Sequence, residues 1–246
     1  MEDIIRIENL CRDFKVGSET VHALRKVSFS IQAGEFVTIM GTSGSGKSTL
    51  LNLLGCLDCP TSGDYYLDGR SVQDMGKNER ASYRNLKIGF IFQSYNLLPK
   101  TSALENVELP LLYNPAYSKR ARREKALEVL KAVGLEHRIH HRSNQMSGGQ
   151  QQRVAIARAM VNDPVILLAD EATGNLDTRT SYEILALFQR LHAEGRTIIF
   201  VTHNPEIAEF SSRNILLRDG QIIEDKKNTQ INSAQRILES LPKIDD

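Results

Sequence analysis

The chain has 246 residues, 41% of them hydrophobic and 25% charged, with a formal net charge of +1. That balance permits a sizeable buried core and provides no global field to draw in nucleic acid or an acidic membrane surface, so no nucleic-acid partner is expected. No run of about 18 apolar residues occurs, so no membrane-crossing helix is expected either.

The first residues, Met1-Glu2-Asp3-Ile4-Ile5-Arg6, lack the basic and apolar regions of a signal peptide, which points to the cytoplasm. Period-two alternation at Ile5 and Ile7, and again at Val27, Phe29 and Ile31, predicts half-buried antiparallel strands. Phe36 to Met40 is a continuous apolar run of the buried-strand type, followed by glycines and by a helix-like stretch from Ser48 to Leu57. The odd set Cys11, Cys56 and Cys59 suits a reducing compartment. Cys56 and Cys59 have metal or redox spacing, yet no second Cys/His pair accompanies them, so they read as packing. Tyr65 to Leu67 predicts a strand entering a tight turn at Asp68-Gly69, and Ile88 to Phe92 another buried strand.

From Ser94 to Ala159 helix signals replace strands. Ser118 is an expected N-cap, Leu127, Leu130 and Val133 share a face, and Gly134 supplies a stop. Eight Lys/Arg against three Glu between Ser118 and Arg142 read as a solvated helix face. After Asp163-Pro164 come a strand over Val165 to Ala169, a helix over Tyr182 to Leu191 and a strand over Thr197 to Thr202. Asn204-Pro205 opens a helix, and Asp219-Gly220 turns a hairpin between Ile215 to Leu217 and Ile222-Ile223. The polar tail from Lys226 holds a short amphipathic piece at Ile237, Leu238 and Leu241, expected to be loosely held.

Three elements carry chemistry. Gly41-Thr42-Ser43-Gly44-Ser45-Gly46-Lys47-Ser48, with Thr49 following, fills the phosphate-loop pattern G-x-x-x-x-G-K-[ST] between a strand and a helix, the context the pattern requires. Its backbone N–H groups and helix N-terminus are suited to phosphates, Lys47 to the β- and γ-phosphates of ATP, and the Ser48 hydroxyl to Mg²⁺. The apolar run Val165 to Ala169 ends in Asp170-Glu171, predicting a metal-side carboxylate and a base for the attacking water. Ser147-Gly148-Gly149-Gln150 opens an alanine-rich helix and forms a second anion-ready helix N-terminus.

This ordered set resembles the ATP-binding-cassette (ABC) ATPases, over nearly the whole chain. The resemblance implies an α/β P-loop fold with an N-terminal antiparallel β subdomain and an inserted α-helical subdomain. It would be a single domain over 1–246, with a core over 1–93 and 161–225, the helical insert over 94–160 and a tail over 226–246. It further implies that Phe14 stacks on adenine, Gln93 senses Mg²⁺ together with Ser48 and Asp170, and Glu171 and His203 act with Lys47 on the γ-phosphate. By the same resemblance, Ser147 to Gln150 close over nucleotide held by a partner copy, and Asp177 belongs to a loop crossing to that copy. Thr173 to Asp177, Phe92 to Pro99 and Glu105 to Pro110 look like the MacB/LolD/FtsE branch. That branch implies a homodimer on the cytoplasmic face of the inner membrane, driving a MacB- or FtsX-like permease, with a periplasmic adaptor as a further partner. Export of a macrolide, peptide or lipoprotein is then expected, with FtsE-like regulation of a membrane complex as the alternative. Ala172, Met146 and Phe14 depart from the branch's usual proline, leucine and tyrosine, and Ala172 is expected to loosen the turn carrying Glu171.

Overall fold

A computed structural model describes residues 3–242. The alternating N-terminal segments form β1 (Asp3–Val16) and β2 (Glu19–Gln32), paired antiparallel with Ile5 opposite Ile31 and Ile7 opposite Phe29. The chain then enters β3 (Phe36–Met40), the glycine loop and α1 (Lys47–Leu54). This helix is shorter than the stretch to Leu57 predicted from the sequence. Gly55 caps it, a Cβ there would run into the Phe90 ring, and Cys56 follows at φ 54°, in the left-handed region that stops a helix.

β4 (Ser62–Leu67) turns through Asp68-Gly69, both at positive φ, into β5 (Arg70–Ser71) and completes a four-stranded sheet of order β2-β1-β4-β5. Next comes α2 (Lys77–Lys87), a helix the sequence reading did not find. It is polar nearly all round and buries only Tyr83, whose hydroxyl donates to the Leu67 carbonyl at 2.6 Å, so no apolar period announces it.

β6 (Ile88–Phe92) leads into the helical layer of α3 (Ala103–Glu108), α4 (Lys119–Ala132) and α5 (Gly148–Met160). Ser102 and Glu105 form a reciprocal capping box at α3, Ser118 caps α4, and Gly134 at φ 76° ends it. Buried Asn106 bonds to Leu98, Thr101 and Ser102, which stitches the loop before α3 onto that helix.

β7 (Ile166–Asp170), α6 (Thr178–Ala193), β8 (Ile198–Thr202), α7 (Pro205–Ala208), β9 (Arg213–Arg218) and β10 (Gln221–Lys227) complete a second sheet of order β10-β9-β3-β8-β7-β6. All its pairings are parallel except β9 with β10. Both faces are covered, which is why its strands read as unbroken apolar runs. Leu167, Ala169, Ile198 and Phe200 pack toward the helical layer, whereas Ile166, Leu168, Ile199 and Val201 pack toward α1 and the first sheet. The tail contains α8 (Ala234–Ser240), which is anchored and not loosely held. Ala234 is buried, and the Gln189 side chain of α6 accepts from its N–H at 3.0 Å while donating to the Asn232 carbonyl at 2.6 Å.

Candidate active site

The C-terminal ends of the parallel strands β3, β6, β7 and β8 come out on one edge of the sheet, with Met40 beside Thr202, Asp170 beside Val201 and Phe92 beside Asp170. In a parallel α/β sheet that edge is where ligands bind. There a cleft of about 830 Å³ has the residues Thr42 to Gly44 and Gly46 to Thr49 on one wall and Asp170, Glu171 and His203 on another.

Glycine is needed here for identifiable reasons. Gly46 has φ 101°, and a Cβ on it would lie 2.6 Å from the Ala23 carbonyl oxygen; one on Gly41 would run into the Leu217 carbonyl. Neither Gly41 nor Ser45 lines the cleft; they support it from behind, with the Ser45 carbonyl accepting from the Gly220 N–H at 3.0 Å. Lys47 Nζ donates to the carbonyls of Gly41 at 2.7 Å and Thr42 at 2.8 Å, so the ammonium is held across the loop.

Glu171 has φ 44°, a left-handed conformation uncommon for a residue with a side chain. Its N–H donates to the Val201 carbonyl at 2.9 Å, and its Oε1 pairs with His203 Nδ1 at 2.5 Å. Burial, and then the neighbouring Glu171 charge, push the Asp170 carboxyl above its ordinary range, with Lys47 opposing. Ala172, at the position expected to loosen this turn, is buried, and its carbonyl accepts from Gln152 Nε2 at 2.8 Å.

Ser147 to Gln150 lie outside this cleft. Ser147 Oγ accepts from the Gln150 N–H and Gln150 Oε1 from the Ser147 N–H, so this pair caps α5. A Cβ on Gly148 would lie 2.9 Å from the Tyr95 hydroxyl, and one on Gly149 would run into the Thr180 methyl. Asp177 caps α6 by accepting from the Thr180 N–H at 2.9 Å, and that bonding holds its carboxyl below the ordinary range.

Gln93 turns toward Asn175, donating to Oδ1 at 3.3 Å, and borders a second cavity of about 330 Å³ shared with Glu171 and His203. It does not line the cleft that holds Ser48 and Asp170. Phe14 does not line it either. The Arg12 guanidinium covers its ring, although its strand partner Val21 is on the cleft wall. Sequence reasoning missed the remaining wall, His22, Ala23 and Arg25 of β2 with Asp219 and Gly220 of the hairpin turn. Asp219-Gly220 was legible as a turn, but nothing local says that the turn closes against the glycine loop.

Residues 24–174 match the family model described as ABC transporter. The chain belongs to the ABC transporter family. This ABC cassette is 54% identical over 222 residues to an uncharacterized ABC transporter ATP-binding protein of Thermotoga maritima, covering 90% of this chain and 94% of that protein. It is 47% identical over 238 residues to the macrolide export ATP-binding/permease protein MacB of Brucella melitensis, where it covers 96% of itself but only 36% of MacB. The ATP-binding cassette MJ0796 of Methanocaldococcus jannaschii, solved as a dimer in a post-hydrolysis state bound to ADP and Pi, superposes with a TM-score of 0.82 at 47% identity, over 91% of this chain and 98% of that one.

The cassette is an ATPase, and it works with ATP and Mg²⁺. Its donor set fits that ion. Among the described residues no group of three or more His, Cys, Asp or Glu could form an all-protein metal cage. Mg²⁺ is usually held by one or two protein oxygens plus substrate phosphates and water, and Ser48 and Asp170 line the same cleft. A cation there would also favour the ionised form of the desolvated Asp170.

Proposed function

We propose that this chain is the ATP-hydrolysing subunit of an export-type ABC complex, closing head to tail with a second copy around two ATP molecules and passing that motion to a separate permease. The observation that carries this reading is the separation of two anion-ready elements. Thr42 to Gly44 and Gly46 to Ser48 face the cleft, whereas the helix N-terminus at Ser147 to Gly149 lies outside it. Each chain then holds two half-sites, which a two-fold pair completes.

In the proposed mechanism, Glu171 orients the attacking water and takes its proton, while Lys47 and the partner copy's Ser147 to Gln150 stabilise charge on the transferring phosphoryl group. His203 reaches a phosphate oxygen through Nε2. Ser48 and Asp170 would hold Mg²⁺, which would supply charge that neutralises the phosphates. Gln93 connects to the site through the cavity it shares with Glu171, Phe14 supports the adenine beside Val21, and Asp177 faces the partner copy.

No helix of the described residues is long and apolar enough to cross a membrane, so a transport role requires membrane-spanning segments outside the described residues. A groove of about 630 Å³, with Leu57, Phe90, Phe92 and Tyr113 on its walls and Arg84 and Arg158 beside them, supports docking of a permease helix next to the Gln93 to Pro99 segment. The likeness to the ATP-binding part of MacB supports a MacB- or FtsX-like permease at the cytoplasmic face of the inner membrane. A periplasmic adaptor and a macrolide, peptide or lipoprotein cargo follow from the same likeness.

Photocrosslinking from Leu98 or Tyr113 in cells tests the partner. Capture of an integral membrane protein is expected, and none captured from either position overturns the assignment. Reconstitution of the captured complex then separates export from regulation, since hydrolysis without movement of cargo supports the FtsE-like alternative.

A further inference from the structure

We propose that Gln152 is a positioning residue for hydrolysis: it holds the turn that carries Glu171 and ties it to the helix whose N-terminus faces the partner copy's nucleotide. The second half of this statement rests on the proposed head-to-tail pairing.

Gln152 is buried in the second turn of α5. Its Nε2 donates to the Ala172 carbonyl at 2.8 Å, while its Oε1 is buried with no hydrogen-bond partner among the described residues. An unpaired buried acceptor is a cost to folding that an apolar side chain of similar size avoids. Packing therefore does not account for an amide at this position, but the bond it makes does. The opposite amide orientation would set two oxygens against each other, so the Ala172 carbonyl decides which way the group points.

The turn needs such a tie. Glu171 sits in the left-handed region, and alanine at 172 restricts the backbone less than the proline usual in the branch this chain resembles. Val201 fixes the Glu171 N–H, Glu171 itself accepts from the Gly174 N–H at 2.8 Å, and Asn175 is bonded to Gln93. Gln152 adds a tie to this turn from the helical layer, at the residue adjoining Glu171. Since α5 begins at the Ser147 cap, a displacement of its first turns toward an anion carries the Ala172 carbonyl with it. A single side chain thus links the half-site offered to the partner copy with the carboxylate that serves the chain's own nucleotide.

The test is Gln152→Met in the full-length chain, with kcat and KM for ATP measured at steady state and ATP-driven dimerisation followed by gel filtration in a Glu171→Gln background. A misplacement of about 1 Å costs on the order of a hundredfold in rate, so a fall in kcat of about ten- to a hundredfold is expected. KM should stay within about threefold, dimerisation should persist, and adding Ala172→Pro should recover most of the lost kcat by restricting the same backbone. Unchanged kcat overturns the proposal, as does a loss of KM and dimerisation in step with kcat, which marks a merely structural role. If Glu171→Gln alone fails to dimerise, the pairing is at fault, and the kcat effect of Gln152→Met still decides the positioning claim.

Discussion

Replacing Glu171 by glutamine isolates its proposed role as base. The amide keeps the side-chain shape, the backbone bond to Val201 and an oxygen able to accept from His203 Nδ1, now 2.5 Å from the carboxylate. What disappears is the negative charge and the capacity to take a proton. A positioned general base contributes about 10²- to 10⁴-fold, and each tenfold is about 1.4 kcal/mol, so the variant should lose roughly 2.7 to 5.5 kcal/mol of transition-state stabilisation. Nucleotide binding should move the other way. The Glu171 charge is the second cause, after burial, of the raised Asp170 carboxyl, and without it Asp170 stays ionised to lower pH. Binding of Mg²⁺ with a nonhydrolysable ATP analogue should then persist to more acid pH than in the wild type. Phosphate release measures the first effect and titration calorimetry across pH the second. Turnover above about a tenth of wild type, a deficit under about 1.4 kcal/mol, would refute the assignment of Glu171 as base.

Gly46→Ala should abolish ATP binding and lower the melting temperature, because left-handed backbone costs a residue with a Cβ about 1 to 2 kcal/mol and the new atom meets the Ala23 carbonyl besides; scanning fluorimetry with and without ATP checks both. Asp177→Ala removes the α6 cap and should cost about 1 kcal/mol. The Asp177 carboxyl is held below its ordinary value of 3.8, so its contribution is complete above that value and lost as pH falls through the lower folded one. Denaturant unfolding should accordingly show the wild type and this variant differing at neutral pH and converging only in strong acid. Arg158→Lys loses a fork that donates to the carbonyls of Asn96 at 2.6 Å and Tyr95 at 2.8 Å, two adjoining residues in the left-handed region. Amide exchange in 94–98 should quicken by about tenfold, equivalent to about 1.4 kcal/mol of local stability.

Much of the scaffold was legible because it is written in short-range signals. The apolar runs of β3, β6, β7 and β8 announce strands covered on both faces, and glycines with Lys47 and Ser48 after such a run announce a phosphate loop. Ser118, Ser147 and Asn204 mark helix starts through side chains that reach only two or three residues onward. α2 escaped because it has almost no apolar face, and the anchoring of α8 because Gln189, which holds it, lies far away in the sequence.

By itself the sequence determined which residues could bear the chemistry: the loop Gly41 to Ser48, the carboxylates ending β7, His203 ending β8 and a second anion-ready helix at Ser147. Tertiary structure alone decided how they are shared out. It brings Asp170, Glu171 and His203 to the cleft beside the glycine loop, leaves Ser147 to Gln150 outside it, turns Gln93 toward Asn175, and builds the remaining wall from β2 and Asp219-Gly220. It also places Gln152 on the Ala172 carbonyl. The physical reason is range. Backbone conformation and capping are set within a few residues, whereas a cleft wall or a buried hydrogen bond between α5 and the turn after β7 exists only once the sheet has brought distant segments together.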